Sequence, residues 1–264
     1  MNWIEFLRQP IHASDVVALC IPATYIVMVA VEQVGTGRDW PGMRGWQRTG
    51  VQCFVMLGMI NAVTSALASR WLPNAHLFDG ARLGVAGGTL LGYAALSFGN
   101  ALMHRAYHRC DWLWRHVHQA HHAPVRLDVA GVMYQTPWEG LGDALLFVVV
   151  TVFLLGLDPL ASMLCAYIGA FYGMFQHFNI RTPCWLGWFI QRPEAHCLHH
   201  ERGVHAWNYS DLPVWDMLWG TFRNPADFEG ELGFGPAPPG MWRLMGGRDA
   251  SAIPGSNASG RIDS

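Results

Sequence analysis

The sequence predicts an all-α integral membrane protein with four to five transmembrane or re-entrant helices and a cytoplasmic, histidine-rich helical cap. Hydrophobic residues make up 52% of the 264 residues and charged residues only 14%, whereas ordinary soluble domains contain about 25% charged residues. Most of the 13 Trp lie beside long uncharged runs, as is typical of rings at the level of lipid headgroups. Of the 13 histidines, 11 lie between residues 104 and 205.

Uncharged runs of membrane-spanning length predict the helices. The runs 49–69 and 83–103 hold 21 residues each, and a helix of that length spans about 31 Å, enough to cross a hydrocarbon core of about 30 Å. The run 16–31 is shorter and needs its flanks or a thinned bilayer to cross. A further apolar region, 140–176, is interrupted by Gly156-Leu157-Asp158-Pro159. Gly and Pro end one helix and begin another, so we expect a hairpin of two shorter helices.

The hairpin places two polar segments, 104–139 and 177–225, on one side of the membrane. With three spans before it, that side carries eleven arginines and the opposite side three. The excess of basic residues predicts that the histidine side faces the cytoplasm. All 17 basic residues are Arg, which we interpret as the coding bias of a GC-rich bacterial genome. The predicted location is therefore the bacterial inner membrane.

Nine histidines from four places in the chain are candidate metal ligands. Two lie four residues apart at the end of the third run, two triplets follow the spacing i, i+3, i+4, and one directly follows the hairpin. On a helix such spacing puts the imidazoles of each group on one face. The nine are His104, His108, His118, His121, His122, His177, His196, His199 and His200. The spacing leaves open whether His116 or His205 also binds metal.

The number of imidazoles indicates two metal ions. Imidazole suits Fe, Zn, Cu and Ni rather than Mg or Ca, and nine ligands are too many for one tetrahedral zinc, which takes four. Divided between two metals, they give four or five ligands each and leave a position for O2 or water. Two octahedral iron ions fit this count best.

The histidine groups also resemble those of a known family. HRAYH at 104–108, WRHVHQAHH at 114–122 and HCLHH at 196–200 look like the three histidine boxes of the fatty acid hydroxylase/sterol desaturase superfamily. The resemblance extends over roughly residues 85–225, with several spaced motifs in the same order, and is therefore specific.

Neighbouring motifs support the resemblance. TPWEG, with Pro137 and Glu139, resembles the family's turn before the hairpin, and QHFNI at 176–180 resembles its His-Ser-Asn-Ile stretch. NYSDLPVWDMLWGTF at 208–222 resembles its Asn-Tyr-Gly…Trp-Asp…Gly-Thr ending. Phe178 and Ser210 depart from this pattern, and the histidines at 116 and 205 are additional, which leaves the subfamily open.

The resemblance implies an O2-dependent di-iron enzyme that hydroxylates or desaturates a lipid, fatty acyl or sterol-like, taken from the bilayer. Its electrons would come from a donor such as ferredoxin or a cytochrome with its reductase. The resemblance also makes Asn208 and Asp216 candidates for residues that orient the ligand imidazoles, although capping of turns would explain them equally well. The net charge of −2 does not indicate a nucleic-acid partner.

The sequence is accordingly divided into three parts. Residues 1–82 form N-terminal membrane helices, 83–225 the fatty acid hydroxylase/sterol desaturase catalytic domain, and 226–264 a C-terminal segment. From about residue 245 this segment is small, polar and poor in apolar residues, which predicts a disordered tail.

Two other functions are compatible with histidine-rich membrane sequences. A carotenoid-ring hydroxylase uses similar boxes, but such proteins look shorter and lack the ending seen at 208–222. A membrane metal-binding or transport protein would normally place its site within the spans, near the bilayer midplane. The histidines here lie at span ends and in polar segments, which favours the lipid-oxidising enzyme.

Overall fold

The computed structural model describes residues 10–35, 37–71, 76–204, 206–235, 240–248 and 250. This part of the chain is helical and contains no β-strand, only an isolated bridge between Glu201 and Leu232. The all-α prediction is therefore confirmed for the described residues. The five long helices are α1 (Ala13–Val34), α2 (Trp46–Trp71), α3 (Gly84–Arg109), α4 (Pro137–Val148) and α5 (Pro159–His177).

Three helical stretches are long and apolar enough to cross a membrane. They are α1, α2 and the continuous stretch Pro137–Leu154, in which a π-helical segment, Val149–Leu154, extends α4. The third predicted run forms α3, a helix of 26 residues, and the predicted hairpin forms α4 and α5. Many large apolar side chains on these helices are exposed, and so extensive an apolar surface requires a membrane or a partner to cover it.

Proline at the first helical position marks where several helices begin. Pro137 and Pro159 start α4 and α5, and Pro193 and Pro213 start the shorter helices α6 (Pro193–His199) and α7 (Pro213–Trp219). Proline is well suited to this position because its missing N–H would have no helical partner. Proline therefore marks the start of these four helices. In the bundle, α1 and α3 pack on α5, and α2 packs on α4.

The tip of the α4–α5 hairpin lies beside the segment that leads into α3. The backbone N–H groups of Leu77 and Phe78 donate to the carbonyls of Phe153 and Leu154 at 2.9 and 3.0 Å. They thereby satisfy carbonyls left open at the end of the helix. The tip and the start of α3 therefore occupy one end of the bundle, and the histidines at the ends of α3 and α5 occupy the other.

Two buried acids attach the membrane helices to the polar segments at the histidine end. Glu32, at the end of α1, accepts hydrogen bonds from the backbone N–H of Val129 at 3.1 Å and of Asn179 at 2.8 Å. Asp128 accepts one from the indole N–H of Trp46 at 2.8 Å. These bonds join both polar segments to the N-terminal helices. The two segments, 104–139 and 177–225, form the cap, which is thus attached to the bundle as one unit.

Part of the C-terminal segment packs on the cap. The side-chain N–H of Gln119 donates to the carbonyls of Leu244 and Arg248 at 2.8 and 3.0 Å, and the N–H of Ala250 donates back to Gln119 at 3.2 Å. Most of the tail predicted from residue 245, namely 249 and 251–264, lies outside the described residues. The divisions at 82/83 and 225/226 stay predictions.

Candidate metal centre

The structure brings the nine candidate histidines together in two clusters. Within each cluster the ligand nitrogens all lie within 4.8 Å of one another. The five-histidine cluster consists of His104, His108, His118, His122 and His199. The four-histidine cluster consists of His121, His177, His196 and His200.

In the five-histidine cluster the Nε2 atoms converge around His104. The Nε2 of His104 lies 3.0 Å from those of His118 and His199 and 3.3 Å from that of His108. The Nε2 of His122 lies 3.1 Å from that of His118. Five imidazoles from α3, α6 and the segment before α4 thus direct the same ring atom at one point.

The four-histidine cluster repeats this convergence with residues from three segments. The Nε2 of His177, at the end of α5, lies 3.1 Å from that of His121 and 3.2 Å from that of His196. The Nε2 of His200 lies 3.0 Å from that of His196. All four side chains are buried, so this cluster is closed to solvent on every side.

The two clusters adjoin because each histidine triplet contributes to both. The i and i+4 members of the first triplet, His118 and His122, enter the five-histidine cluster, whereas His121 enters the other. In the second triplet the assignment is reversed, since only His199 joins the five-histidine cluster. The spacing predicts one shared face for each triplet, but the structure divides that face between two centres. The rings of His122 and His200 stack at the boundary with centroids 4.1 Å apart.

The remaining histidines lie away from both clusters. The Nδ1 of His116 donates to the carbonyl of Trp112 at 2.9 Å, and the His116 ring stacks on the Trp112 ring. His12 and His76 are exposed, near the start of α1 and the hairpin tip respectively. His205 lies outside the described residues. The spacing left open whether His116 binds metal. In the structure His116 belongs to neither cluster of converging nitrogens.

Hydrogen bonds at Nδ1 fix which ring nitrogen is free to bind metal. The Nδ1 of His104 donates to the carbonyl of Tyr209 and that of His199 to the carbonyl of Trp207, both at 2.7 Å. The Nδ1 of His118 bonds to a carboxylate oxygen of Glu139 at 2.8 Å. Because the two carbonyl oxygens only accept, the Nδ1 of His104 and of His199 carries the hydrogen and their Nε2 presents a lone pair.

The position of the imidazole hydrogens indicates whether a metal ion fits between the Nε2 atoms. The Nε2 lone pairs of His104 and His199 face each other at 3.0 Å with no hydrogen between them, and the Nε2 of His118 lies 3.0 Å from that of His104. Such an arrangement is repulsive unless a cation lies between the nitrogens. The donor set therefore fits a metal ion that prefers imidazole nitrogen.

Burial disfavours protonated imidazoles in both clusters. It lowers the pKa of His121, His122, His196 and His200 well below 6.5, and neighbouring imidazoles lower it further. These side chains are therefore neutral at pH 7, which is the form that binds metal.

Glu139 was not singled out as a site residue by the sequence reasoning, which placed it in a turn. Its carboxyl group is buried beside His118. Thr136, the N-cap residue, accepts a hydrogen bond from the Glu139 N–H at 3.2 Å, so Thr-Pro-Trp-Glu has the spacing of a capping box. A capping glutamate would bond back to the N-cap backbone, whereas Glu139 bonds to an imidazole. In the sequence, the spacing of Thr136 and Glu139 indicates only the start of a helix and not a contact with an imidazole.

Asn208 and Asp216 form hydrogen bonds to backbone groups in and next to the loop that contains Trp207 and Tyr209. The carboxylate of Asp216 accepts hydrogen bonds from the N–H of Tyr209 at 3.0 Å and of Ser210 at 2.8 Å. The side-chain N–H of Asn208 donates to the carbonyl of Ala195 in α6 at 2.9 Å. The two residues therefore hold the loop whose carbonyls accept from His104 and His199. These contacts stabilise the turn, and orientation of the imidazoles by the two residues stays a prediction.

Helices of membrane-spanning length and nine converging imidazoles define a membrane protein with a histidine-rich metal site. A family model described as fatty acid hydroxylase matches residues 89–221, half of the chain. The chain belongs to this family, within the fatty acid hydroxylase/sterol desaturase superfamily, as the histidine boxes predicted. The apolar helices and the family together indicate an integral membrane protein.

Three relatives place the chain among enzymes with lipid-related names. It is 31% identical to the ornithine lipid hydroxylase OlsE of Rhizobium tropici over 146 residues, which cover 52% of this chain and 42% of the relative. It is 27% identical to sphinganine C4-monooxygenase 1 of Arabidopsis thaliana over 129 residues, 46% of this chain and 48% of the relative. It is also 27% identical to the very-long-chain aldehyde decarbonylase GL1-9 of Oryza sativa subsp. japonica over 128 residues, 45% of this chain and 48% of the relative.

The chain spans about half the length of the curated relatives it matches. No solved structure matches it. The residues matched by the family model include all nine histidines of the two clusters. The N-terminal helices and the C-terminal segment around the clusters lie outside the match.

Proposed function

We propose that this chain is a membrane-bound non-haem di-iron oxidoreductase that hydroxylates or desaturates a C–H bond of a fatty acyl or sterol-like lipid, using O2 and electrons from a reductase. The observation that carries the proposal is the pair of adjoining imidazole clusters, with the Nε2 atoms directed inward in each. A cluster of five nitrogens and a cluster of four suit one iron ion each, because imidazole binds iron well. Either number of ligands also leaves a coordination position open on an octahedral ion.

Iron bound in these clusters would supply the O2 chemistry needed to break an unactivated C–H bond. The chain's own residues hold and orient the imidazoles: Tyr209 and Trp207 through their carbonyls and Glu139 through its carboxylate. Seven of the nine imidazoles are buried, whereas His104 and His108 are partly exposed. We propose that the lipid approaches the five-histidine cluster from this more open side, while burial keeps water from the rest.

The relatives' names support a lipid substrate. Two of them are named as hydroxylases or monooxygenases of an ornithine lipid and of sphinganine, and the third as a decarbonylase of very-long-chain aldehydes. The long hydrocarbon chain is common to these names, whereas the reaction and the headgroup differ. The proposal is therefore limited to the lipid class.

The proposed topology has four to five spans, a cytoplasmic histidine end and a location in the bacterial inner membrane. It is supported by the position of the hairpin tip, which pairs with residues 77–81 at the end opposite the histidines. On the cytoplasmic side a donor such as ferredoxin or a cytochrome with its reductase would be available.

Lipid analysis tests the reaction. The chain and its His118→Ala variant are expressed in a bacterial host with a reductase and ferredoxin, and extracted lipids are compared by mass spectrometry. We expect lipids that have gained one oxygen or lost two hydrogens with the wild-type chain alone. Identical lipid profiles from iron-loaded wild type and the variant would reject the function.

Labelling of intact cells tests the topology. Cys110, in the first polar segment, is exposed, and Arg223→Cys places a second thiol in the other segment. Each thiol is kept alone after the other exposed cysteines are replaced by Ser. An impermeant maleimide should label neither site until the cells are opened. Labelling of one site but not the other in intact cells would contradict a shared compartment, and labelling of both would reverse the orientation.

A further inference from the structure

Large apolar side chains are exposed on two neighbouring elements of the cap. The 3-10 helix Cys184–Trp188 and the residue after it expose Trp185, Trp188 and Phe189, and α7 exposes Val214 and Leu218. Trp188 is 60% exposed and Leu218 is 71% exposed. We call these five residues the aromatic face. Single exposed apolar residues are common on proteins, but a group of this size on adjacent elements marks a binding surface.

The aromatic face is continuous with the exposed apolar surface of α3. On α7, the rings of Trp215 and Trp219 pack against Phe98 of α3 with centroids 5.0 and 6.1 Å apart. Phe98 is itself partly exposed, as is Leu102 one turn further along α3. On the other side, the ring of Trp188 contacts that of Phe222, just after α7, at 5.3 Å. Contacts between aromatic rings therefore connect the exposed side of α3 with α7 and with the 3-10 helix of the cap.

Two arginines lie at the edge of this surface without an acidic partner in the described part of the chain. The guanidinium of Arg105 lies 5.0 Å from the ring centre of Trp219, and that of Arg223 lies 3.8 Å from that of Trp207. Neither forms a salt bridge with another described residue, whereas Arg181 and Arg202 of the same cap are paired with acids. Arginine beside half-buried indole rings is the composition expected of a protein surface at the headgroup layer.

We infer that the aromatic face docks in the headgroup layer of the same bilayer that the long helices cross, with Arg105 and Arg223 against anionic lipid headgroups. Continuity with α3 favours the bilayer over a protein partner, because a membrane that covers the exposed side of α3 extends directly onto α7. Trp and Arg side chains suit this depth, since each has an apolar body and a polar end that stays hydrated.

The docking would bring the bilayer close to the candidate metal centre. Trp207 and Tyr209, whose carbonyls accept from His199 and His104, lie in the loop that leads directly into α7. The loop that bonds to the five-histidine cluster is therefore continuous with the helix that contributes Val214 and Leu218 to the aromatic face. The inference itself does not depend on the proposed reaction, because it concerns only where the cap sits.

Spin labels test where the face lies. Nitroxides are attached to Trp188→Cys and Leu218→Cys after the exposed Cys20, Cys110 and Cys184 are replaced by Ser, while the buried cysteines are kept. The protein is reconstituted into phosphatidylcholine vesicles with and without phosphatidylglycerol, in the absence of any other protein. Accessibility to O2, which concentrates in the bilayer, is compared with accessibility to a water-soluble nickel complex.

Two further labels provide the references. Leu90→Cys, on the exposed side of α3, reports the hydrocarbon, and Glu229→Cys, on an exposed loop of the cap, reports water. We expect the ratio of O2 to nickel accessibility at 188 and 218 to exceed that at 229 several-fold and to approach that at 90. Ratios equal to that at 229 would overturn the inference and leave the face to a protein partner. Circular dichroism of each variant checks that its helices are intact.

The arginines have their own test. Phosphatidylglycerol should raise the ratio at 218 in the otherwise wild-type background, and the effect should be lost in an Arg105→Gln/Arg223→Gln variant. An equal response in both backgrounds would contradict the role of these arginines. Because no measurement requires iron, O2 turnover or a substrate, this result is independent of whether the proposed enzyme activity is found.

Discussion

The two histidine clusters use the same side chain but are held in different ways. In the five-histidine cluster, Nδ1 groups donate to partners distant in the chain, such as the carbonyl of Tyr209 for His104 and the carboxylate of Glu139 for His118. In the four-histidine cluster, His177 bonds to the carbonyl of Gly173 within its own helix at 2.9 Å. The Nδ1 of His196 has no hydrogen-bond partner in the described part of the chain.

The difference indicates that long-range hydrogen bonds orient one centre and that burial and helical spacing orient the other. The five-histidine cluster has a ligand to spare and is partly open, as expected of the centre that a substrate approaches. The four-histidine cluster is closed and has no spare ligand. Replacing residues in one cluster at a time should therefore have distinguishable consequences.

The largest effect is expected from removing a ligand from either cluster. His118→Ala and His196→Ala should each reduce lipid oxidation by more than about 100-fold, because loss of an outer hydrogen-bond partner alone typically costs 10- to 100-fold. Membrane insertion should be unchanged, since it depends on apolar length. His116→Ala is the matched control from the same segment, and His12 and His76 should also tolerate Ala. Full activity in both cluster variants would show that the ligands are misassigned.

Metal content should then separate the clusters. His196→Ala leaves three imidazoles in its cluster and should reduce the iron content from two ions per chain towards one. His108→Ala leaves four imidazoles and should retain more iron, although its activity is lost. Elemental analysis of both purified variants checks this, and equal iron loss in the two would contradict the unequal ligand supply.

A smaller effect is expected at Glu139, which contacts one cluster only. Glu139→Ala removes the acceptor for His118 and should lower activity or iron affinity by about 10- to 100-fold. Glu139→Gln keeps an acceptor oxygen and should lose less. The Ala/Gln pair is compared by turnover and by iron retention against a chelator. If both variants behaved as wild type, the orientation of His118 would not depend on this bond.

The smallest effect concerns acid stability of the metal-free protein. The pKa of His121, His122, His196 and His200 is lowered in the folded chain. Below about pH 6.5 the unfolded chain therefore binds more protons, and the free energy of unfolding falls as the pH falls, by up to about 1.4 kcal/mol per pH unit for each histidine. These histidines contribute no such dependence above that pH. Thermal unfolding should shift by several degrees on acidification, and iron should reduce the shift. A melting temperature independent of pH would contradict the buried, neutral state.

Local patterns in the sequence identified most of the fold and the residues that converge. Charge-free runs located the long helices because membrane insertion depends on apolar length, and the i, i+3, i+4 spacing located the histidines because it follows from helical geometry. The division of each triplet between two clusters was not predictable, since it depends on how three segments meet. A π-helical turn at Trp114–His118 also precedes the first triplet, and the spacing gave no sign of it.

The sequence did not indicate the hydrogen-bond partners of the imidazoles, which are two backbone carbonyls and the side chain of Glu139. The carbonyls of Trp207 and Tyr209 leave no side-chain signal, and Trp207 and Asn208 adopt positive φ values of 84° and 55° without a glycine that would indicate a special turn. Glu139 resembled a helix-capping residue. In each case the function comes from a tertiary contact that local spacing does not contain.

The most direct test of the central claim is the metal content of the active protein. The chain is purified in detergent without chelators, its lipid-oxidising activity is verified, and iron and zinc are measured per chain by elemental analysis. Two adjoining clusters of five and four imidazoles predict two iron ions per chain. One zinc ion and no iron in a catalytically active preparation would contradict the di-iron account.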